Sequence, residues 1–140
     1  MRYWDASALV SLCVAEASTG SIRRLADEGI VTWSVSAVEI AAAIERRTRE
    51  GSLTGAEHAV ARTALDELAA AWTEISALGP VRDRALRLVA THALRAADAM
   101  QLGAALVAVA DRSAGHAFVC MDRRLREAGA REGFEVLPGD

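Results

Sequence analysis

Five short apolar segments punctuate this chain: MRYWD at 1–5, IVTWS at 30–34, TEISAL at 73–78, AFVCM at 117–121 and FEVL at 134–137. Each is strand-length, and the stretches between them follow helical spacing. That alternation predicts an α/β fold, a mainly parallel sheet flanked by helices on both faces, because parallel neighbours must be joined by crossovers and helices supply them. In such sheets ligands bind beyond the carboxyl ends of the strands, where strand order reverses.

The expected helices run from Ala6 to Glu16, from Ser21 to a C-cap at Gly29, from Ala37 to Arg49, and from Ala56 to Trp72 after a turn at 51–55. A further one spans Val81 to Leu94, with Leu86, Val89 and Ala90 on one face, after a strand closed by Gly79-Pro80. Another covers Ala97 to Ala110, and a last one follows Asp122. No internal repeat or composition break divides the chain, so residues 1–140 read as a single domain.

Composition excludes several functions. Hydrophobic residues make up 52% and charged residues 25%, as in a globular protein. There is no lysine and no asparagine, and all 16 basic residues are arginine. A Walker loop, a Schiff-base lysine and a receiver-type phosphoacceptor site are therefore excluded. A net charge of −3 argues against nucleic-acid binding by bulk positive charge. A carboxylate cluster that gathers divalent cations would nonetheless place positive charge where a phosphate sits. Cys13 and Cys120 form neither a disulfide framework nor a zinc site and read as buried thiols. His58, His92 and His116 show no ligand or triad spacing, and Trp4, Trp33 and Trp72 read as core or interface residues. Asp5 interrupts any signal peptide, and the longest apolar run, Leu102 to Ala110, is too short for a bilayer; a cytoplasmic protein without a membrane span is expected.

Four acids draw attention. Asp5 and Asp122 each follow a strand segment directly and would project from the ligand-binding edge. Glu39 and Asp98 stand at the starts of two helices. Each has a plain structural role open to it: Asp5 and Asp122 as N-caps, Ser36 with Glu39 as a capping box, Asp98 as a favourable charge in a first turn. Spacing alone does not bring the four together; were they to converge, their like charges would require bound cations. An all-oxygen donor set suits Mg²⁺ or Mn²⁺ rather than structural zinc.

The blocks DAS at 5–7, SAVEIAAAIERR at 36–47, LRAADAMQLGAAL at 94–106 and FVCMDRRLREAGAREGFEVL at 118–137 resemble a PIN domain, and more narrowly the VapC toxins of type II toxin–antitoxin modules, over nearly the whole chain. The resemblance implies a three-layer sandwich and a metal-dependent endoribonuclease that leaves 5′-phosphate and 3′-hydroxyl ends. It implies that Asp5, Glu39, Asp98 and Asp122 form the catalytic quartet. Asp5 and Asp98 would be direct metal ligands, with Asp122 at the same ion or a second. Glu39 would act through water, and Ser7 would hydrogen-bond the first acid. Two positions depart from the pattern: Cys120 stands where relatives carry Thr or Ser, and Gln101 where a histidine is common. The implied partners are an RNA substrate, a cognate antitoxin and a second copy of the chain. Val38, Ile40 and Ile44, or the Ala56–Trp72 helix, are the expected dimer contacts. Arg46, Arg47, Arg95, Arg123 and Arg124 are candidates for RNA phosphates. Two other readings stand beside this one: an RNA-processing PIN nuclease without an antitoxin, and a catalytically silent binding module whose acids only cap helices.

Overall fold

All five segments form strands, each contributing three residues: β1 Arg2–Trp4, β2 Val31–Trp33, β3 Thr73–Ile75, β4 Ala117–Val119 and β5 Glu135–Leu137. The computed structural model describes residues 1–14 and 19–139. Between the strands lie α1 Ala6–Cys13, α2 Thr19–Leu25 with a 3₁₀ turn at Ala26–Glu28, α3 Ser36–Arg49, α4 Gly55–Ala71, α5 Leu78–Thr91, α6 Ala96–Ala108 and α7 Arg123–Arg131. The expected first helix reached Glu16; Ala15 and Glu16 lie outside the described residues. Among the described residues, no helix is long and apolar enough to cross a membrane.

The sheet order is β3-β2-β1-β4-β5 and every pairing is parallel. Strand order therefore reverses between β1 and β4, which places the topological switch point at their carboxyl ends. Period-two alternation splits the strand side chains between two cores. Tyr3, Trp33 and Phe118 pack with α5, α6 and α7 on one face. Trp4 and Val119 pack with α1 to α4 on the other. All three tryptophans are buried, Trp72 donating to Glu74 Oε1 at 3.0 Å.

Four local expectations are corrected. The strand at 73–78 ends at Ile75, and Gly79-Pro80 opens α5 instead of closing the strand. First-turn amides have no intrahelical acceptor, so the proline sacrifices nothing there. The inward stripe of α5 is Val81, Ala85 and Leu88, whereas Leu86 and Val89 are 64% and 43% exposed and Ala90 is also exposed. Ser36 does not cap α3: the N-cap is Val35, without a side-chain bond, and the capping box that forms joins Thr54 and Glu57 at the start of α4. Ile40 and Ile44, expected at a dimer interface, are fully buried in the chain's own core, while Val38 remains exposed.

The choice of inward stripe on α5 follows from Gly103 on α6. A Cβ at this glycine would lie 2.8 Å from the carbonyl oxygen of Val81, so its absence lets the two helix backbones approach. Gly103→Ala is expected to cost about 1–3 kcal/mol, because backbone and not a flexible side chain must retreat. A denaturant titration showing unchanged stability would count against this account. Farther along the same seam, Arg84 forks onto both carboxylate oxygens of Asp111 (2.8 and 2.7 Å), and Arg87 pairs with Glu132. His92 Nε2 lies 2.7 Å from Glu132, which ties α5 to the end of α7.

Candidate active site

The first turn after β1 places Asp5 at the switch point. Its amide donates to the Val119 carbonyl at 3.1 Å, extending the β1–β4 ladder by one residue before α1 begins. Its carboxylate caps α1 by accepting from the Ala8 amide at 3.2 Å. The Ser7 hydroxyl lies 2.8 and 2.9 Å from the two carboxylate oxygens, and itself accepts from the Met121 amide at 3.0 Å. Ser7 thus fastens Asp5 to the loop after β4. Asp5 is 3% exposed, and burial pushes its carboxyl from about 3.8 up to about 6, against the opposing pull of the Ser7 and Ala8 hydrogen bonds.

Asp122 is the N-cap of α7, accepting from the Leu125 amide at 3.0 Å, and is otherwise exposed. Its loop is held by Arg126, which donates to the carbonyls of Cys120 (2.8 Å) and Pro138 (2.7 Å). Capping is therefore a real role for Asp5 and Asp122, and it coexists with their position at the switch point. Glu39 is different. It makes no cap, and instead accepts a 3.1 Å hydrogen bond from Gln101 Nε2. Asp98 stands in the first turn of α6, behind Arg95 at the N-cap.

The electrostatics link three of the acids. Burial raises the Glu39 carboxyl and the charge of Asp98 raises it further, against the Gln101 hydrogen bond. Burial and then Asp122 raise Asp98, while Arg95 pulls it down. Asp5 and Glu39 both raise the buried Tyr3 hydroxyl, after burial itself. Among the arginines expected at RNA phosphates, Arg95 acts on Asp98 by its charge, and Arg123 pairs with Glu127 at 3.5 Å. Among the described residues, no three of His, Cys, Asp or Glu lie close enough together to hold one metal ion as they stand. Repulsion between uncompensated carboxylates favours such spacing.

The donor chemistry fits a hard cation. Cys120 Sγ lies 3.8 Å from Ser7 Oγ, and burial, then the charge of Asp5, push its thiol well up. The four acids and Ser7 supply carboxylate and hydroxyl oxygens, the donors that suit such a cation. Among the described residues, no arginine or histidine pairs with the buried Asp5 carboxylate, which leaves its charge open to compensation by a cation. A separate cavity of about 370 Å³ is framed by Arg84, Arg87, Asp111 and Glu132. Its guanidiniums are already neutralised by those acids, which makes it a poor phosphate site.

Sequence reasoning missed Gln101 as a partner of Glu39 and Arg126 as the anchor of the Asp122 loop. Gln101 had two visible signals, its departure from the histidine common at that place in the resembled family and an amide among Ala99, Met100, Leu102 and Gly103. Arg126 had none, since its acceptors are backbone carbonyls.

No protein-family model matches the chain. It is 33% identical to Ribonuclease VapC45 of Mycobacterium tuberculosis (strain CDC 1551 / Oshkosh) over 138 residues, 97% of this chain and 94% of the relative. The same figures hold for Ribonuclease VapC49 of Mycobacterium tuberculosis (strain ATCC 25618 / H37Rv). In architecture it is similar to the crystal structure of PAE2754 from Pyrobaculum aerophilum, with a TM-score of 0.68 at 18% identity, covering 97% of this chain and 88% of that one. The structural likeness establishes a shared fold.

Proposed function

This chain belongs to the VapC family of ribonucleases, and we propose that it is a metal-dependent endoribonuclease, acting in the cytoplasm as the toxin of a type II toxin–antitoxin pair. The observation that supports this best is Asp5: a buried carboxylate without a basic partner among the described residues, held by Ser7 where strand order reverses.

In this reading Asp5, Asp98 and Asp122 hold Mg²⁺ or Mn²⁺. When bound, the cation supplies positive charge to the phosphate and acidifies water. The chain's own groups do the rest. Ser7 fixes the Asp5 carboxylate by bonding to both of its oxygens. Glu39 has Oε1 engaged by Gln101, which leaves its second oxygen to orient the attacking water or accept its proton. Arg95 and Arg123, beside Asp98 and Asp122, meet flanking RNA phosphates.

A cleft of about 330 Å³ between α1, α2 and α4, with Leu12, Val60, Ala64 and Leu68 as its apolar lining and Arg23 and Glu67 as charged groups, suits the amphipathic segment of an antitoxin. Exposed Val38 remains available to a second copy of the chain.

Incubating the purified protein with RNA tests the proposal. Internal cleavage is expected with Mg²⁺ or Mn²⁺, its loss on adding EDTA, and its return when metal is resupplied. Cleavage undiminished in excess EDTA would overturn the metal dependence, and intact RNA under every condition would overturn the ribonuclease assignment.

A further inference from the structure

We propose that Gln101 is a positioning residue that sets the Glu39 carboxylate, through a directed chain of buried hydrogen bonds that also fixes the peptide leading into Asp5. The inference rests on the ribonuclease reading above, in which Glu39 handles the attacking water.

Gln101 is 1% exposed, and a buried amide is costly unless its polar atoms are matched. Its orientation follows from what its neighbours can offer. An ionised carboxylate only accepts, so the amide nitrogen must face Glu39. Its two N–H groups then donate to Glu39 Oε1 at 3.1 Å and to Ser36 Oγ at 3.0 Å. The amide oxygen is left for Tyr3, whose hydroxyl donates to it at 2.7 Å.

The direction continues. Ser36, having accepted, donates to Thr32 Oγ1 at 2.7 Å, and Thr32 donates to the Trp4 carbonyl at 2.7 Å. That carbonyl belongs to the Trp4–Asp5 peptide, whose N–H is held by Val119. Both ends of this peptide are therefore tied, one into the sheet and one into the chain that starts at Gln101. Tyr3, Thr32, Ser36 and Gln101 are buried on β1, β2, α3 and α6, so one amide joins four elements to two of the acids.

A purely structural plug at position 101 would need no bond to Glu39, which is only half-buried and has water available. A methionine would fill the same volume. What the amide adds is a fixed direction for one carboxylate oxygen, and hence for the other.

The test is a double-mutant cycle with Gln101→Met and Glu39→Gln, read as kcat and KM for cleavage of one RNA, together with crystal structures of the parent and Gln101→Met proteins without added metal. Gln101→Met is expected to lower kcat about 10- to 100-fold with KM little changed, the scale of a misplaced group. In the Glu39→Gln background it should cost nothing further, because Gln101 acts through Glu39. The Glu39 carboxylate should leave its place in the variant crystal while Asp98 and Asp122 keep theirs.

An unchanged kcat, an equal loss in both backgrounds, or a Glu39 that stays in place would overturn the proposal. If Gln101→Met does not fold, the Tyr3→Phe/Gln101→Met pair removes the orphaned hydroxyl and carries the same cycle. If the parent protein cleaves no RNA with any metal, the functional reading fails, and the position of Glu39 in the two crystals alone decides the role of Gln101.

Discussion

Asp5→Asn protein is expected to lose RNA cleavage by on the order of 10³-fold and, at the same time, to be more stable than the parent in metal-free buffer. The two effects share one cause. Asparagine keeps an oxygen for the Ala8 amide and fills the same space, so the cap and the packing survive. What disappears is a negative charge that the fold has buried. Loss of activity with raised stability separates a residue kept for chemistry from one kept for structure, since truncating a structural residue lowers both.

The size of the stability gain follows from the titration of Asp5. Below pH 3.8 the folded and unfolded chains both hold the proton, and burial of this group carries no charge penalty. As pH rises from 3.8 towards 6, the unfolded chain releases its proton while the folded chain retains it, so stability falls across that window and then levels. A shift from 3.8 to about 6 is worth on the order of 3 kcal/mol at neutral pH. Denaturation in EDTA should therefore show Asp5→Asn more stable than the parent at pH 7 and the two converging near pH 4. Adding Mg²⁺ should raise the melting temperature of the parent and leave the variant unmoved, because only the parent binds the ion tightly when folded. Equal stabilities at pH 7, or an equal response to Mg²⁺, would remove the basis for treating Asp5 as a carboxylate awaiting a cation.

How much of this was legible in the sequence depended on the range of the interaction that decides each feature. Strand positions were legible because β-branched and aromatic triplets such as Val31–Trp33 stand out from helical spacing within a few residues. Asp5 and Asp122 were legible as edge residues for the same reason, Asp5 following β1 directly and Asp122 following β4 after Cys120 and Met121, two residues that the expected strand 117–121 had included. The inward face of α5 was not. Val81, Ala85 and Leu88 form one apolar stripe, and Leu86, Val89 and Ala90, the face expected to be inward, form a second. What selects between them is the close approach at Gly103, about twenty residues away on another helix. Likewise Ser36-x-x-Glu39 and Thr54-x-x-Glu57 are equally good capping boxes on paper. Only the second forms, because Thr32 and Gln101 take the Ser36 hydroxyl and Gln101 takes Glu39. The same diversion frees Glu39 from a local cap and ties it to the site, so the failed local rule marks a functional contact.

Phe118→Ala is the opposite case to Asp5→Asn, and is expected to cost about 3–5 kcal/mol. Phe118 is the middle residue of β4 and is fully buried. Its ring stacks on Tyr3 with centroids 5.6 Å apart and planes 3° from parallel, and Phe134 leans on it at 5.8 Å. On the far side Gly129 presents a bare backbone: a Cβ there would come within 3.0 Å of Phe118 Cδ1. The ring thus takes the space that a side chain on α7 would fill, and its loss would leave a void between Tyr3, Phe134 and the backbone of Gly129. Against a typical domain stability of about 5–15 kcal/mol, such a loss leaves a small margin. Thermal unfolding should shift down by roughly 10–20 °C. Cleavage should fall steeply on warming and recover on cooling, with kcat per folded molecule near that of the parent, because the ring packs on Tyr3, Phe134 and Gly129 and supplies none of the hydrogen bonds that hold Asp5 or Glu39. A variant that melts with the parent, or one that stays inactive in the cold while fully folded, would show that the β4 core and the acidic edge are not separable in this way.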